Sequence, residues 1–187
     1  MAPMNFRLSI CSAVMLALAG CVNVENSGKP RDWPRLVRIS TTADLQGSYQ
    51  NNSSGSAGPR LGKLWFYLTR EIIPVAAGTR VHLTARDEHH LMASLIEKNG
   101  VVLRTRDLRS PADFRIRNGV LRLPADFANS AREGFAFGVG VGGGSCKLHK
   151  ALDGSLVGEM YGAAFGIGLF VPAAGYGDLW ALWKTVP

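Results

Sequence analysis

The chain has 187 residues, 47% of them apolar and 19% charged, which is enough for one domain with a substantial core. This balance excludes an intrinsically disordered protein. The formal net charge of +7 favours anionic neighbours at the protein surface.

The chain opens with a single positive charge, Arg7, and an apolar run over residues 8–19. The run is short for a membrane-spanning helix, which needs about 20 residues, and it suits the apolar region of a secretory signal. It closes on Leu18-Ala19-Gly20-Cys21, where small residues directly precede a cysteine. Residues 1–21 therefore resemble bacterial lipoprotein signals, with Leu18-Ala19-Gly20-Cys21 as the lipobox.

This resemblance implies cleavage between Gly20 and Cys21, diacylglyceryl transfer to the Cys21 thiol and N-acylation of the new terminus. Membrane lipid is then the partner through the Cys21 anchor, because two or three acyl chains hold a protein stably where one does not. Val22, in place of Asp, implies the outer membrane, with the protein facing the periplasm. An envelope location argues against nucleic acid as a partner. An ordinary secretory signal with a chance cysteine is the alternative.

The composition of the chain predicts three segments. Residues 1–20 are predicted to be the signal peptide, residues 21–35 a lipidated N-terminus with a polar, flexible tether, and residues 36–187 a single β-rich domain. Cys146 is the one cysteine after Cys21, so the domain forms no internal disulfide. We expect a buried, inert thiol at Cys146. An exposed thiol or an intermolecular bridge is the alternative.

The first half of the domain is less regular. Residues 36–50 are predicted to hold a first strand pair, and residues 44–49 (DLQGSY) faintly resemble the Gly-x-aromatic opening of lipocalin-type barrels. Residues 51–60 have the composition of a loop. Residues 61–75 carry apolar positions at helical spacing, yet residues 64–68 (LWFYL) are rich in strand formers. We predict a strand there.

From Gly78 onward the pattern is that of an antiparallel meander. Apolar and polar residues alternate over 80–85, and three dipeptides favour two-residue hairpin turns: Asn99-Gly100, Asn118-Gly119 and Asp153-Gly154. The first two turns predict four cross-strand pairs, namely Ile96 with Leu103, Ser94 with Thr105, Ile116 with Leu121, and Phe114 with Leu123.

Two glycine-rich stretches, 134–144 and 164–169, alternate bulky and small residues and predict strands with one nearly bare face. Gly134, Gly138 and Gly142 are also spaced by four, as are Gly158, Gly162 and Gly166, so tightly packed helices are the alternative. Residues 178–184 (DLWALWK) predict a last strand pressed into the core, with the bilayer interface as the alternative place for the two tryptophans.

The second hairpin predicts a basic surface. With Ile116 and Leu121 facing inward, Arg115, Arg117 and Arg122 point outward together, and Arg115 lies directly opposite Arg122. Arg104 and Arg106 lie close in sequence. We interpret Arg104, Arg106, Arg115, Arg117 and Arg122 as a docking patch for anionic lipid, glycan phosphate or an envelope protein. A solvated face of a basic protein is the alternative.

No catalytic or metal-binding pattern stands out. Residues 87–90 (DEHH) form the densest titratable cluster, but His89 and His90 point to opposite faces of a strand. Zinc spacing and a nucleophile elbow are missing from the sequence, and Ser145-Cys146 with His149 indicates nothing by itself. We therefore predict no enzyme, no metal and no cofactor.

Together these patterns predict a mainly β fold, an antiparallel meander that forms a small barrel or an open, barrel-like sheet. The preferred function is that of a non-catalytic envelope lipoprotein that binds an amphiphile or lipid. The alternative is a structural or assembly accessory that docks through its arginine face. A large apolar cavity would favour the first function, and a filled core with an arginine-rich surface would favour the second.

Overall fold

The structure is a computed structural model that describes residues 22–26, 28–55, 62–124, 138–168 and 171–187. The predicted signal peptide and the predicted lipobox, which ends at Cys21, lie outside the described residues. So do residues 56–60 of the predicted loop, residues 134–137 of the first glycine-rich stretch and Leu169 of the second.

The described residues form short strands, a 3-10 turn at Thr42–Leu45, a helix and three long strands. The strands are β1 (Val22–Asn26), β2 (Leu36–Val37), β3 (Gly47–Gln50), β4 (Ser54–Gly55), β5 (Arg80–Asp87), β6 (His90–Ile96), β7 (Val102–Arg109), β8 (Arg115–Arg117), β9 (Val120–Leu123), β10 (Gly138–Ala151), β11 (Leu156–Gly168) and β12 (Val171–Trp183), and the helix is α1 (Leu64–Thr69).

The strands form two sheets. The larger has the order β1-β12-β11-β10-β9-β8, with β2 also paired to β10 and β4 to β12, and the smaller has the order β3-β5-β6-β7. The predicted mainly β, antiparallel fold is confirmed. Both sheets are open over the described residues, so of the two predicted forms the open, barrel-like sheet fits.

The chain falls into two compact units. One includes β1 and residues 138–144, 162–168 and 171–177 of the long strands. The other spans 27–125, 145–161 and 178–187 and includes the four-stranded sheet, α1 and the β8–β9 hairpin. No helix among the described residues is long and apolar enough to cross a membrane.

The core of the larger unit is built around aromatic rings. Tyr67 and Trp183 are fully buried, with ring centroids 4.9 Å apart. Gly158 makes room for them, since a Cβ there would lie 2.6 Å from the Trp183 ring. The Tyr67 hydroxyl donates to the Lys147 carbonyl at 2.6 Å and ties α1 to β10. Burial raises the pKa of Tyr67 well above its usual value, so this hydroxyl stays a donor at neutral pH.

The predicted strand over residues 61–75 is wrong, because Leu64–Thr69 is helical. Tertiary contacts override the strand preference of these residues. Asn51 Oδ1 accepts the Trp65 amide at 2.9 Å and satisfies one free donor of the first turn. Arg70, with a φ of 62°, ends the helix in the left-handed region.

The predicted strand pair within residues 36–50 is also wrong. β2 pairs with β10, whereas β3 pairs with β5 in the other sheet. The 3-10 turn between them buries Leu45, and this buried turn separates the two strands. In the predicted loop, Ser54 and Gly55 form the short strand β4 against β12.

The first predicted hairpin has the expected register except at its end. Ser94 faces Thr105, as predicted, but Ile96 faces Val102 and not Leu103. The reason is a three-residue turn, in which the Gly100 amide donates to the Glu97 carbonyl at 3.0 Å and only Gly100 has a positive φ. The additional turn residue shifts the last pair by one position.

The second hairpin is the predicted two-residue turn. Asn118 and Gly119 have φ values of 57° and 80°, Ile116 faces Leu121, and Arg115 faces Arg122. Phe114 is buried but precedes β8, so the predicted pair of Phe114 with Leu123 does not form.

Val22–Asn26, which lies in the predicted flexible tether, forms β1 of the larger sheet next to β12. The turn at Asp153-Gly154 has three residues and not the predicted two, since the Ala151 amide donates to the Ser155 carbonyl at 2.8 Å. The other strand predictions hold where residues are described. The glycine-rich segments are strands from Gly138 in β10 and through Gly168 in β11. The last strand ends at Trp183, which is buried in the core. The Cys146 thiol is free and buried, as predicted.

Candidate basic docking face

Three exposed arginines share one side of the β8–β9 hairpin. Arg115 and Arg117 alternate with Ile116 on β8, and Arg122 alternates with the buried Leu121 and Leu123 on β9. We call Arg115, Arg117 and Arg122 the arginine face. Its residues were predicted from the sequence, and the structure places them together.

The central pair of this face is an arrangement of like charges. Arg115 lies directly opposite Arg122, where side chains of an antiparallel pair have Cβ atoms about 5 Å apart. The register continues onto β10, where Lys147 lies opposite Arg122. Three cationic side chains therefore form one row across three strands.

None of the three arginine side chains forms a hydrogen bond or ion pair with another described residue. Lys147, in contrast, is 2.6 Å from Glu159 Oε1. The row therefore carries uncompensated charge at Arg115 and Arg122 but not at Lys147.

A fourth arginine, Arg38, lies at the turn of the hairpin. The Ile39 amide donates to the Gly119 carbonyl at 2.9 Å, and a Cβ at Gly119 would lie 3.0 Å from Arg38 Cγ. The exposed Arg38 side chain thus packs on the turn at Gly119. Sequence analysis missed Arg38, because only the tertiary structure brings it to the hairpin.

Arg104 and Arg106 belong to a different surface. Both lie on β7 of the four-stranded sheet, opposite Leu95 and Ala93 of β6. Arg106 Nη1 is 3.5 Å from Glu71 Oε1, while Arg104 has no ion-pair partner among the described residues. The structure therefore does not place these two predicted residues in the ladder that carries the arginine face.

Lys147, His149 and Glu159 form a half-buried cluster, with 25%, 13% and 19% of their side-chain surfaces exposed. His149 Nε2 is 3.1 Å from Glu159 Oε2, and Lys147 Nζ donates to the other oxygen. The bond to His149 and then the bond and charge of Lys147 lower the pKa of Glu159 to about 2. Lys147 and His149 occupy both carboxylate oxygens of Glu159, so the charges of this cluster are paired within the protein.

In the turn at residues 87–90, the titratable side chains pair with one another. His90 Nδ1 is 2.8 Å from Asp87 Oδ2, and His89 Nε2 is 3.6 Å from Glu88 Oε1. The His89 amide, which donates to Asp87, is the largest cause of the lowered pKa of this carboxyl. Among the described residues, no group of three or more His, Cys, Asp or Glu side chains could hold a metal ion.

Two cavities lie in the larger unit. The apolar one has a volume of about 100 Å³, and Trp65, Phe66, Ile72 and Leu95 are among its walls. The second has a volume of about 360 Å³, and polar and charged residues such as Thr79, Arg80 and Lys98 line it, with much of its wall formed by their apolar atoms. Pockets for small ligands usually measure about 300–1,000 Å³ and are lined mainly by apolar side chains. The apolar cavity is smaller than this range, and the larger cavity is lined mainly by polar and charged residues.

A comparison with family models, with curated proteins and with solved structures finds no match to this chain.

Proposed function

We propose that the protein is a lipid-anchored, non-catalytic protein of the bacterial envelope, whose domain docks on anionic lipid through the arginine face. The anchor rests on the resemblance of residues 1–21 to a lipoprotein signal, with lipid on Cys21. In the structure Val22–Asn26 forms strand β1, so the domain begins directly after Cys21 and meets the membrane surface at a high effective concentration.

The observation that carries the docking proposal is the opposed pair Arg115 and Arg122, exposed and without a carboxylate partner among the described residues. Like charges directly opposite each other on a sheet are destabilising. An anion that binds both guanidinium groups removes this repulsion, and arginine binds phosphate through two parallel hydrogen bonds. Lipid phosphate on the membrane surface supplies such anions.

The small size of the apolar cavity favours docking over the enclosure of an acyl chain in that cavity. The apolar cavity of about 100 Å³ is too small for an acyl chain, because ligand pockets usually begin near 300 Å³. The core around Tyr67 and Trp183 is filled. A basic lysine or arginine near an anionic membrane contributes about 1 kcal/mol to binding, so three arginines suffice to hold a tethered domain against the surface.

The anchor is tested by the mass of the mature N-terminus from membranes of the producing cells. We expect a chain that begins at Cys21 and carries diacylglyceryl and acyl groups. An unmodified terminus overturns the anchor.

The docking is tested on the anchored chain, reconstituted in vesicles of phosphatidylcholine alone or mixed with phosphatidylglycerol. We expect slower backbone hydrogen exchange at residues 115–123 in the anionic vesicles, reversed by salt. The triple variant R115E/R117E/R122E removes the difference.

The matched control is R104E/R106E/R109E, which reverses the same number of charges on β7. We expect this control to retain slow exchange at 115–123 in anionic vesicles. Equal exchange in both kinds of vesicle, or equal loss in both triple variants, overturns lipid docking through the arginine face.

A further inference from the structure

The edge strand of the four-stranded sheet has an open side. β7 pairs with β6 and is the last strand in the order β3-β5-β6-β7. Seven of its eight residues are exposed, with Leu108 buried. An edge strand presents unpaired N–H and C=O groups, to which an extended chain can pair.

The alternation of hydrogen bonds shows which groups face this open side. The Ser110 amide donates to the His89 carbonyl at 2.9 Å, toward β6. The Arg109 amide donates to Asp113 Oδ2 at 2.8 Å, away from β6. Because directions alternate along an antiparallel ladder, Asp107 and Thr105 also direct their backbone groups away from β6. None of these groups bonds to another described residue.

The structure limits the open stretch at both ends. At one end, Asp113 binds both backbone groups of Arg109, since its own amide donates to the Arg109 carbonyl at 2.7 Å. At the other end, the register shifts between Leu95 and Ile96 of β6, and such an irregularity interrupts regular pairing. The regular open edge therefore runs from Arg104 to Leu108.

A second copy of the chain is a poor occupant of this edge. If two β7 strands paired antiparallel with Thr105 opposite Thr105, Arg104 of each would lie opposite Arg106 of the other. If Thr105 lay opposite Asp107, Arg106 would lie opposite Arg106. Both registers bring like charges into direct opposition, which is destabilising.

The same arginines define the occupant that fits. Arg104 and Arg106 lie on one face of β7 on either side of Thr105. Consider an incoming strand with one residue directly opposite Thr105. The two residues that flank this central residue then lie opposite Arg104 and Arg106. Acidic side chains at those two positions form cross-strand pairs of opposite charge.

We infer that the outer edge of β7 binds one extended segment of a partner protein, with acidic residues two positions apart, by strand addition at Thr105 and Asp107. Backbone hydrogen bonds supply the pairing, and Arg104 and Arg106 supply the selectivity. This site uses a different strand from the arginine face, so it does not depend on the lipid docking proposed above.

The test uses the full chain in non-ionic detergent micelles and a short synthetic peptide in which glutamate alternates with valine. We expect hydrogen exchange, followed by NMR, to slow at the amides of Thr105 and Asp107 when the peptide saturates the chain. The amides of Arg104 and Arg106 face β6 and are expected to keep their exchange rates. This alternating pattern is specific to strand addition.

Two matched probes complete the test. A peptide of the same sequence with alternate backbone amides methylated keeps the charge but cannot pair, so we expect no binding. In R104E/R106E we expect the glutamate peptide to bind roughly tenfold more weakly and a lysine–valine peptide to bind in its place. Equal binding of the methylated peptide, or unchanged exchange at Thr105 and Asp107 under saturation, overturns strand addition.

Discussion

On one side of the eight-stranded sheet, Glu159 holds Lys147 and His149 in a half-buried cluster, whereas Arg115 and Arg122 face each other in solvent without a carboxylate. Lys147 lies opposite Arg122, so the two regions are adjacent. The compensated region is sensitive to the loss of either partner, since a charge that is partly removed from water and left unpaired is strongly destabilising. The arginine face lowers stability slightly and leaves its charge available for a partner.

The largest expected effect comes from removing the central carboxylate. In Glu159→Gln, Lys147 remains half-buried without its counter-charge, and we expect a loss of about 3 kcal/mol in the free energy of unfolding. Urea unfolding of the full chain in detergent, followed by tryptophan fluorescence, measures this loss. The control Glu88→Gln changes a side chain that is 77% exposed and should cost less than about 0.5 kcal/mol. A similar cost for both variants would show that the cluster contributes no stability.

The second prediction concerns pH. The pKa of Glu159 is lowered from 4.5 to about 2 in the folded chain, so its contribution is complete above pH 4.5 and is lost as the pH falls toward 2. After allowance for partial exposure, we expect a loss of about 2 kcal/mol over this window.

Unfolding curves of the wild type and of Glu159→Gln between pH 5 and about pH 2.5 check this assignment. The difference in stability between the two chains should shrink as the pH falls. A difference that stays constant over this window would contradict the assignment to Glu159.

The same two regions show how far the sequence determines the site. The opposition of Arg115 and Arg122 was predictable because Asn118-Gly119 forms a two-residue turn with both φ values positive, and such a turn fixes the register of the adjacent strands. The Glu159 cluster was not predictable in this way. A two-residue turn at Asp153-Gly154 would pair Lys147 with Met160.

In the structure the Gly154 amide donates to the Ala151 carbonyl at 3.0 Å and the Ala151 amide to Ser155 at 2.8 Å. This three-residue turn moves the pairing by one residue, so Lys147 meets Glu159. A register shift of one residue exchanges the faces of a strand. The dipeptide alone indicates a hairpin but not which of the two turn types forms.

The prediction also failed where packing decides the structure. Residues 64–68 favour a strand locally, yet they form α1 because Leu64, Trp65 and Leu68 lie on one buried helical face. The cap that Asn51 supplies to the Trp65 amide comes from a residue distant in sequence. Alternation and turn residues therefore predicted the meander, and long-range contacts determined the helix.

A third prediction reverses one charge of the arginine face. In Arg122→Glu the new carboxylate lies between Arg115 and Lys147, and we expect a gain of about 0.5–1 kcal/mol in stability. The matched variant Arg117→Glu faces Val120 and should change stability by less than about 0.3 kcal/mol. Urea unfolding compares them. If Arg122→Glu were less stable than Arg117→Glu, the opposed arginines would not be under repulsion.

The smallest expected effect is the salt dependence of stability, which should differ between the two regions. At low ionic strength we expect Arg122→Gln to exceed the wild type by a few tenths of a kcal/mol, because the variant removes the repulsion with Arg115. The exposed pair is screened as the Debye length falls from about 10 Å at 0.1 M to about 3 Å at 1 M salt, so this gain should vanish. The deficit of Glu159→Gln should persist, since half-buried charges are screened less. Urea unfolding of the three chains at both salt concentrations measures the two differences. If both differences vanished together in salt, the Glu159 cluster would behave as a surface ion pair. The two regions would then differ only in whether their charges attract or repel each other.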